Sequence, residues 1–328
     1  MAGASGFHRG PARIGNHLCG VLVAETRRVI EIELPSGDVA PVVCRRFGSG
    51  PFRVVIAAGI RGDAPEGIRV AHRVSSFLEA EEGRLNGTVD IYPCANPLAA
   101  HRGTRTWPFF DTDLNRLFPG RSDGHPPAQV ARALCDDISG AQQVIELRGA
   151  RPAFSEASQA IVRHDHAESA ELASHANVAV VWRRTPGPAA PATFAHQFPG
   201  SIVLEGGTGN RLTPGVGNDL ADGVLNLLVH LKVLPESGLP FHWAAIRRPV
   251  HVTDAEVHRV RAERGGLFLP ASTIWSEVEA GECLGEIVDP LTGLTREEVR
   301  SPMAGNILAI RELPVVFPGT MVARVVTA

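Results

Sequence analysis

Several groups of side chains in this sequence have types and spacings that bear on chemistry. His164-Asp165-His166, with His101 elsewhere in the chain, is the best offer of a metal site. Imidazoles bind metals well, but positions i and i+2 share a face only on a strand and point apart on a helix. An adventitious two-histidine site fits that spacing, and a catalytic one is not expected. Gly59-Ile60-Arg61-Gly62 is a glycine-rich entry to a helix after an apolar run. It matches neither GxGxxG nor GxxxxGK(S/T), so a phosphate loop is not expected either. Glu205, taken alone, reads as a solvated or salt-bridged carboxylate, and Asn115-Arg116 before Phe118-Pro119-Gly120 can brace a loop but reads better as a ligand contact. Lys232 is the only lysine among 32 basic residues, which removes lysine chemistry from the rest of the chain.

The elements that must position these residues follow from the hydrophobic pattern. Leu22 to Glu33 and Ala40 to Arg45 read as short strands around the turn Pro35-Ser36-Gly37-Asp38. Val54 to Ala58 is continuously apolar, as in a strand buried on both faces. Asp63 and Glu66 have the spacing of a capping box, and Ile68, Ala71, Val74 and Leu78 follow at helical period. Strands are expected at Val89 to Pro93, Gln143 to Leu147, Val178 to Trp182 and Ser201 to Leu204. Helices are expected around Ala128 to Ile138, Ala167 to His175 and Asn218 to Lys232. Alternation of strand and helix predicts an α/β fold with a mixed, mostly parallel sheet and flanking helices. Pro186 to Pro191 reads as a plain surface loop. After Leu239, short apolar runs between Gly/Pro turns predict a small all-β, barrel-sandwich-like module. Its segment Ser301 to Ile307 resembles a biotinyl or lipoyl carrier hairpin, but with no lysine there a swinging arm is excluded. The expected domains are therefore residues 1–241, including the short N-terminal β segment, and 242–328.

Five segments in order carry a more specific likeness. Gly59 to Glu66 is followed by Asn96-Pro97, then by Asp113-Leu114-Asn115-Arg116-Leu117-Phe118-Pro119-Gly120. Glu146-Leu147-Arg148-Gly149 and Leu204-Glu205-Gly206-Gly207 complete the series. The chain resembles the succinylglutamate desuccinylase/aspartoacylase family of the zinc-carboxypeptidase-like superfamily, and its C-terminal β module resembles that family's second domain. The resemblance implies amide hydrolysis of N-acyl amino acids at a zinc held by two histidines and a glutamate, with an open position for water. It sets Glu205 at the general acid/base position. It sets Asn115 and Arg116 against a substrate carboxylate. Leu98 stands where some members have a further arginine, and Arg105 in the same loop can replace it. At the three zinc positions it sets Arg61, Ala64 and Arg148, none of which supplies a metal-ligating lone pair.

Those substitutions lead to an expectation of no bound cofactor, zinc being the family's. They also lead to an expected pseudoenzyme or other non-zinc derivative with an anion pocket of Arg61, Arg148, Arg116, Arg105 and Asn115. Its partner would be a small anionic or N-acyl amino-acid-like ligand, with homo-oligomers or an active paralogue as further partners. Two other readings stay open: an active deacylase with an atypical metal site, and a structural partner of an active paralogue. A net charge of −3 gives no reason to expect nucleic acid or a membrane surface as partner. No apolar run reaches the roughly 18 residues of a membrane span. Met1 to Arg13 lacks the apolar core of a secretory signal, and the odd, scattered Cys19, Cys44, Cys94, Cys135 and Cys283 suit a reducing, cytoplasmic setting.

Overall fold

The structure, a computed structural model, describes residues 24–236 and 248–327. The Met1 to Arg13 segment, Cys19 and the expected boundary at 241/242 lie outside the described residues.

The first half alternates as its periodicity predicts. An antiparallel pair, β1 (Glu25–Glu33) and β2 (Val39–Phe47), leads into β3 (Arg53–Ala58). Then come α1 (Pro65–Glu81), β4 (Thr88–Tyr92), α2 (Pro97–Arg102), α3 (Pro126–Ile138) and β5 (Gln143–Leu147). They are followed by β6 (Phe154–Arg163), α4 (Ala167–Ala173), β7 (Val180–Arg184), β8 (Ile202–Thr208) and α5 (Pro214–His230). Strands β4, β3, β5 and β8 lie side by side in parallel, so their carboxyl ends open at one edge of the sheet. Val54 to Ala58 are fully buried because helices cover both faces. On one face α1 and α5 pack Val70, Val74 and Leu78 against Leu220, Val224 and Leu228, and on the other α3 packs Val130, Leu134 and Ile138.

The chain continues as β9 (Val250–Thr253), β10 (Val257–Arg261), β11 (Gly266–Pro270), β12 (Glu277–Val278) and β13 (Cys283–Val288). It ends with β14 (Thr295–Arg300), β15 (Gly305–Arg311), β16 (Val315–Val316) and β17 (Met321–Val326). Four of these, in the order β14-β13-β11-β16, form the antiparallel C-terminal sheet. The others extend the large sheet: β15 pairs with β6, β17 and β10 follow, and β9 pairs with β7. Thus the C-terminal strands cover the edge of β6 that an isolated α/β domain would leave open.

Three local expectations need correction. Strand β6 was not expected, because buried Glu156, Ser158 and Gln159 interrupt its apolar pattern. The capping box does not close as read: the Glu66 carboxylate accepts from the Thr213 backbone N–H and from Arg69 Nη1, tying the start of α1 to the start of α5. His164 lies in a turn, not on a strand or helix, while the His166 ring caps α4 through the Ser169 backbone N–H.

Candidate functional site

The turn after β3 is forced close to its neighbours by glycine. Gly59 has φ +65°, and a Cβ on Gly62 would lie 2.1 Å from the carbonyl carbon of Ala99. This approach carries Arg61 to the carboxyl edge of the sheet, beside the end of β5. There a Cβ on Gly149 would touch Ala64 at 3.7 Å, so Ala64 lies against the residue that follows Arg148. Arg61, Ala64 and Arg148 are therefore neighbours although 87 residues separate the first from the last in sequence.

The segment 113–120 supplies the opposite wall. Asp113 caps a single 3-10 turn through the Asn115 N–H at 2.9 Å, and its other oxygen accepts from Arg105 Nε at 2.9 Å. Asn115 is buried, and its Oδ1 accepts the Phe194 backbone N–H at 2.8 Å, holding down the loop that covers the site. Phe118 meets Phe194 edge to face at 5.3 Å. Arg116 turns toward the site, donating from Nη1 to the Asn115 carbonyl at 2.7 Å. Gly120, at φ +79°, passes so near α3 that a Cβ would lie 2.2 Å from the Arg132 nitrogen.

These walls enclose a cavity of about 340 Å³, lined at its inner end by Arg61, Asn115, Arg116 and Arg148. Glu205, 5% exposed on β8, lies just beyond the lining, with Gln159 Nε2 donating to it at 3.3 Å and the Arg148 guanidinium within ion-pair range, Nη1 to Oε2 3.9 Å, without a hydrogen bond. Arg105 does not line the cavity; its charge is taken by Asp113, with Nη2 2.8 Å from the carboxylate.

The two central arginines differ in electrostatics. Arg148 donates from Nε and Nη2 to the two oxygens of buried Glu146, at 2.5 and 2.6 Å. Burial disfavours its charge, but Glu146 and then Glu205 outweigh that, so the guanidinium is held above its ordinary value. No carboxylate among the described residues pairs with Arg61. Its enclosed Nε has no hydrogen-bond partner. Burial first, then the charges of Arg148 and Arg105, push it down to about 10. Glu205 and Glu146 offset this only in part and from a distance, so Arg61 is still a cation at neutral pH, without a direct ion pair among the described residues.

Residues 51–231 match the model of the succinylglutamate desuccinylase/aspartoacylase catalytic domain, more than half of the chain. The chain belongs to this family. A stretch of 91 residues is 38% identical to an N-alpha-acetyl-L-2,4-diaminobutyric acid deacetylase of Halomonas elongata. That stretch is 28% of this chain and only 26% of the relative's length. Among solved structures, a succinylglutamate desuccinylase/aspartoacylase of Rhodobacter sphaeroides aligns with a TM-score of 0.78 at 21% identity, over 96% of this chain and 99% of that one. The product-bound ectoine utilization protein EutE (DoeB) of Ruegeria pomeroyi aligns at 0.78 and 19% identity, over 97% and 99%. The shared fold therefore includes the C-terminal strands, which lie outside the matched catalytic domain.

Membership corrects one expectation. No cofactor was expected, whereas the succinylglutamate desuccinylase/aspartoacylase family is zinc-dependent. The residues gathered here do not fit that metal: Ala64 has no donor atom, and Arg61 and Arg148 are protonated guanidiniums. Among the described residues no group of three or more His, Cys, Asp or Glu is placed to hold a metal, and His164 with His166 does not make one.

Some of the cavity was missed in the sequence. Its outer end is lined by Arg163, Arg184 and the loop Thr185 to Ala190, which includes much of the proline-rich segment read as a plain surface loop. The signal for Arg163 lay in the alternation of β6, obscured by that strand's buried polar residues. No described helix is long and apolar enough to cross a membrane.

Proposed function

We propose that this family member binds the carboxylate of an N-acyl amino-acid-like ligand in the cavity, with Arg61 and Arg116 as its cationic contacts. The assignment of Arg61, Ala64 and Arg148 to the family's zinc positions is part of this reading. A single observation carries it: Arg61 is a partly buried cation with an orphaned Nε and no acidic partner among the described residues. Such a group is costly in the empty protein, and an anion that hydrogen-bonds to it recovers the cost. Arg116 lines the same space and, among the described residues, has only a backbone carbonyl as partner. Arg148 has a smaller part than its position suggests, because Glu146 already satisfies its fork; it braces Glu205. The ligand class is chosen from the relatives, one of which is an N-acetyl-diaminobutyric acid deacetylase.

Retained deacylase activity is the second reading, supported by the 38% identity over 91 residues with that deacetylase and by Glu205 just beyond the lining at the inner end of the cavity. Isothermal titration with N-acetyl and N-succinyl amino acids, followed by product analysis of the same mixtures, separates the two. Binding without product supports the first reading, and amide cleavage lost in Glu205→Gln supports the second.

A further inference from the structure

The floor of the cavity is set by strand register. In the antiparallel pair of β6 and β8, Gln159 lies opposite Glu205 and Ile161 opposite Val203. Side chains two apart on a strand share a face, so Gln159, Ile161 and Arg163 line up along β6 while Glu205, Val203 and Ser201 line up along β8. Of these, Ile161, Arg163, Ser201 and Val203 line the cavity, so its floor runs from an apolar stretch at Ile161 and Val203 to a cationic end at Arg163, with Gln159 and Glu205 just beyond the lining at the other end of the same rows. Four residues separate the end rungs, a run of about 13 Å at the rise of an antiparallel strand.

At the far end β7 lies parallel to β6, with Arg184 beside Arg163 in the register. Arg163 is already committed, its Nε and Nη2 donating to Asp165 at 3.0 and 2.6 Å. Arg184 is not: no acidic side chain among the described residues pairs with it. Its guanidinium carbon stands 5.1 Å from the Trp182 ring centroid, which fixes the direction of the charge. Residues Thr185 to Ala190 line the same cavity.

We infer that Arg184 forms a second anion subsite, and that the ligand is an elongated dianion whose apolar middle lies over Ile161 and Val203. Within the proposed function this specifies the acyl part: one carboxylate reaches Arg61 and Arg116, and the acyl chain ends in a second carboxylate at Arg184. The inference rests on that function, since the inner carboxylate is held by the same residues. A short diacid spans too little of the slot to reach both ends, and a monoacid of full length leaves Arg184 unpaired.

Isothermal titration of the full chain at low salt with equal-length pairs tests this: succinate and butyrate, adipate and hexanoate, sebacate and decanoate. Sebacate should bind roughly tenfold more tightly than decanoate, the order of one added charge-assisted contact, while succinate and butyrate differ little. Arg184→Gln, at an exposed position, should bring sebacate down to decanoate. Equal affinity of sebacate and decanoate, or an advantage of sebacate that survives Arg184→Gln, overturns the second subsite. In that case binding of both acids that Arg61→Met abolishes leaves the inner site standing. If no member of either series binds, the second subsite is overturned, and titration with N-acetyl and N-succinyl amino acids decides the proposed function separately.

Discussion

Arg148 and Glu146 stand two residues apart at the end of one strand and form a two-pronged ion pair there, at 2.5 and 2.6 Å. Glu146 is fully buried and Arg148 nearly so. The pair divides the site's positive charge into a part that is already neutralised and a part, at Arg61, that is not. Removing one partner strands the other's charge, and for a buried pair this costs about 3–5 kcal/mol. Glu146→Ala should therefore lower the urea midpoint far more than a surface Glu→Ala change. The double variant Glu146→Leu with Arg148→Met should recover most of the loss.

Arg61 should behave in the opposite way. A guanidinium lowered from its ordinary value to about 10 binds its proton less tightly folded than unfolded. Folding is therefore penalised at every pH below 10, and the penalty fades only as pH rises through the folded and toward the unfolded value. The size is on the order of 3 kcal/mol at neutral pH. Arg61→Met should raise the melting temperature of the ligand-free protein while removing any stabilisation by added N-acyl amino acids. A fall in melting temperature in the absence of ligand would mean that Arg61 is already paired.

The covering loop depends on Asn115. Its Oδ1 accepts the Phe194 N–H in a buried setting, so Asn115→Ala leaves an orphaned donor worth about 1–3 kcal/mol. Hydrogen exchange at the Phe194 amide should speed up in this variant while exchange in β3 and β5 stays unchanged. Equal acceleration across the sheet would show that Asn115 supports the whole fold.

Much of this was legible in the sequence, for physical reasons. The apolar run Val54 to Ala58 read clearly because burial on both faces leaves few residue choices, while the segment Asp113 to Gly120 was read through its resemblance to a family motif, and the close, positive-φ turn at Gly120 is one physical reason that motif is so specific. Grouping Arg61, Ala64 and Arg148 rested on the family resemblance, which sets all three at one site, and the expected strand order agreed with it. What stayed hidden depended on pairing across distance. Glu146 next to Arg148 was visible, yet nothing in the spacing said that it would take up that arginine's fork. Arg105 looked free until Asp113, eight residues later, proved to hold it. Strand β6, with its buried Glu156 and Gln159, had too little apolar alternation to be read, and the outer half of the cavity was lost with it.

The assignment of the three positions has its own test. Arg61→His, Ala64→Glu and Arg148→His together place two imidazoles and a carboxylate at the end of the sheet, with Glu146 left to orient the second imidazole. The triple variant should bind zinc with about one more equivalent per chain than the unaltered protein, measured by metal analysis after dialysis against zinc. No gain in a folded triple variant would mean that these residues do not occupy the family's zinc positions.

The central claim, an anion site built on Arg61, is tested most directly by isothermal titration of N-acetyl and N-succinyl amino acids into the unaltered protein and Arg61→Met. The account predicts saturable one-to-one binding of at least one of them, weakening with added salt and lost in Arg61→Met. Such a ligand at 100 times its Kd would stabilise the fold by about 2.7 kcal/mol. Absence of binding across the series, or binding of equal strength in Arg61→Met, would contradict it.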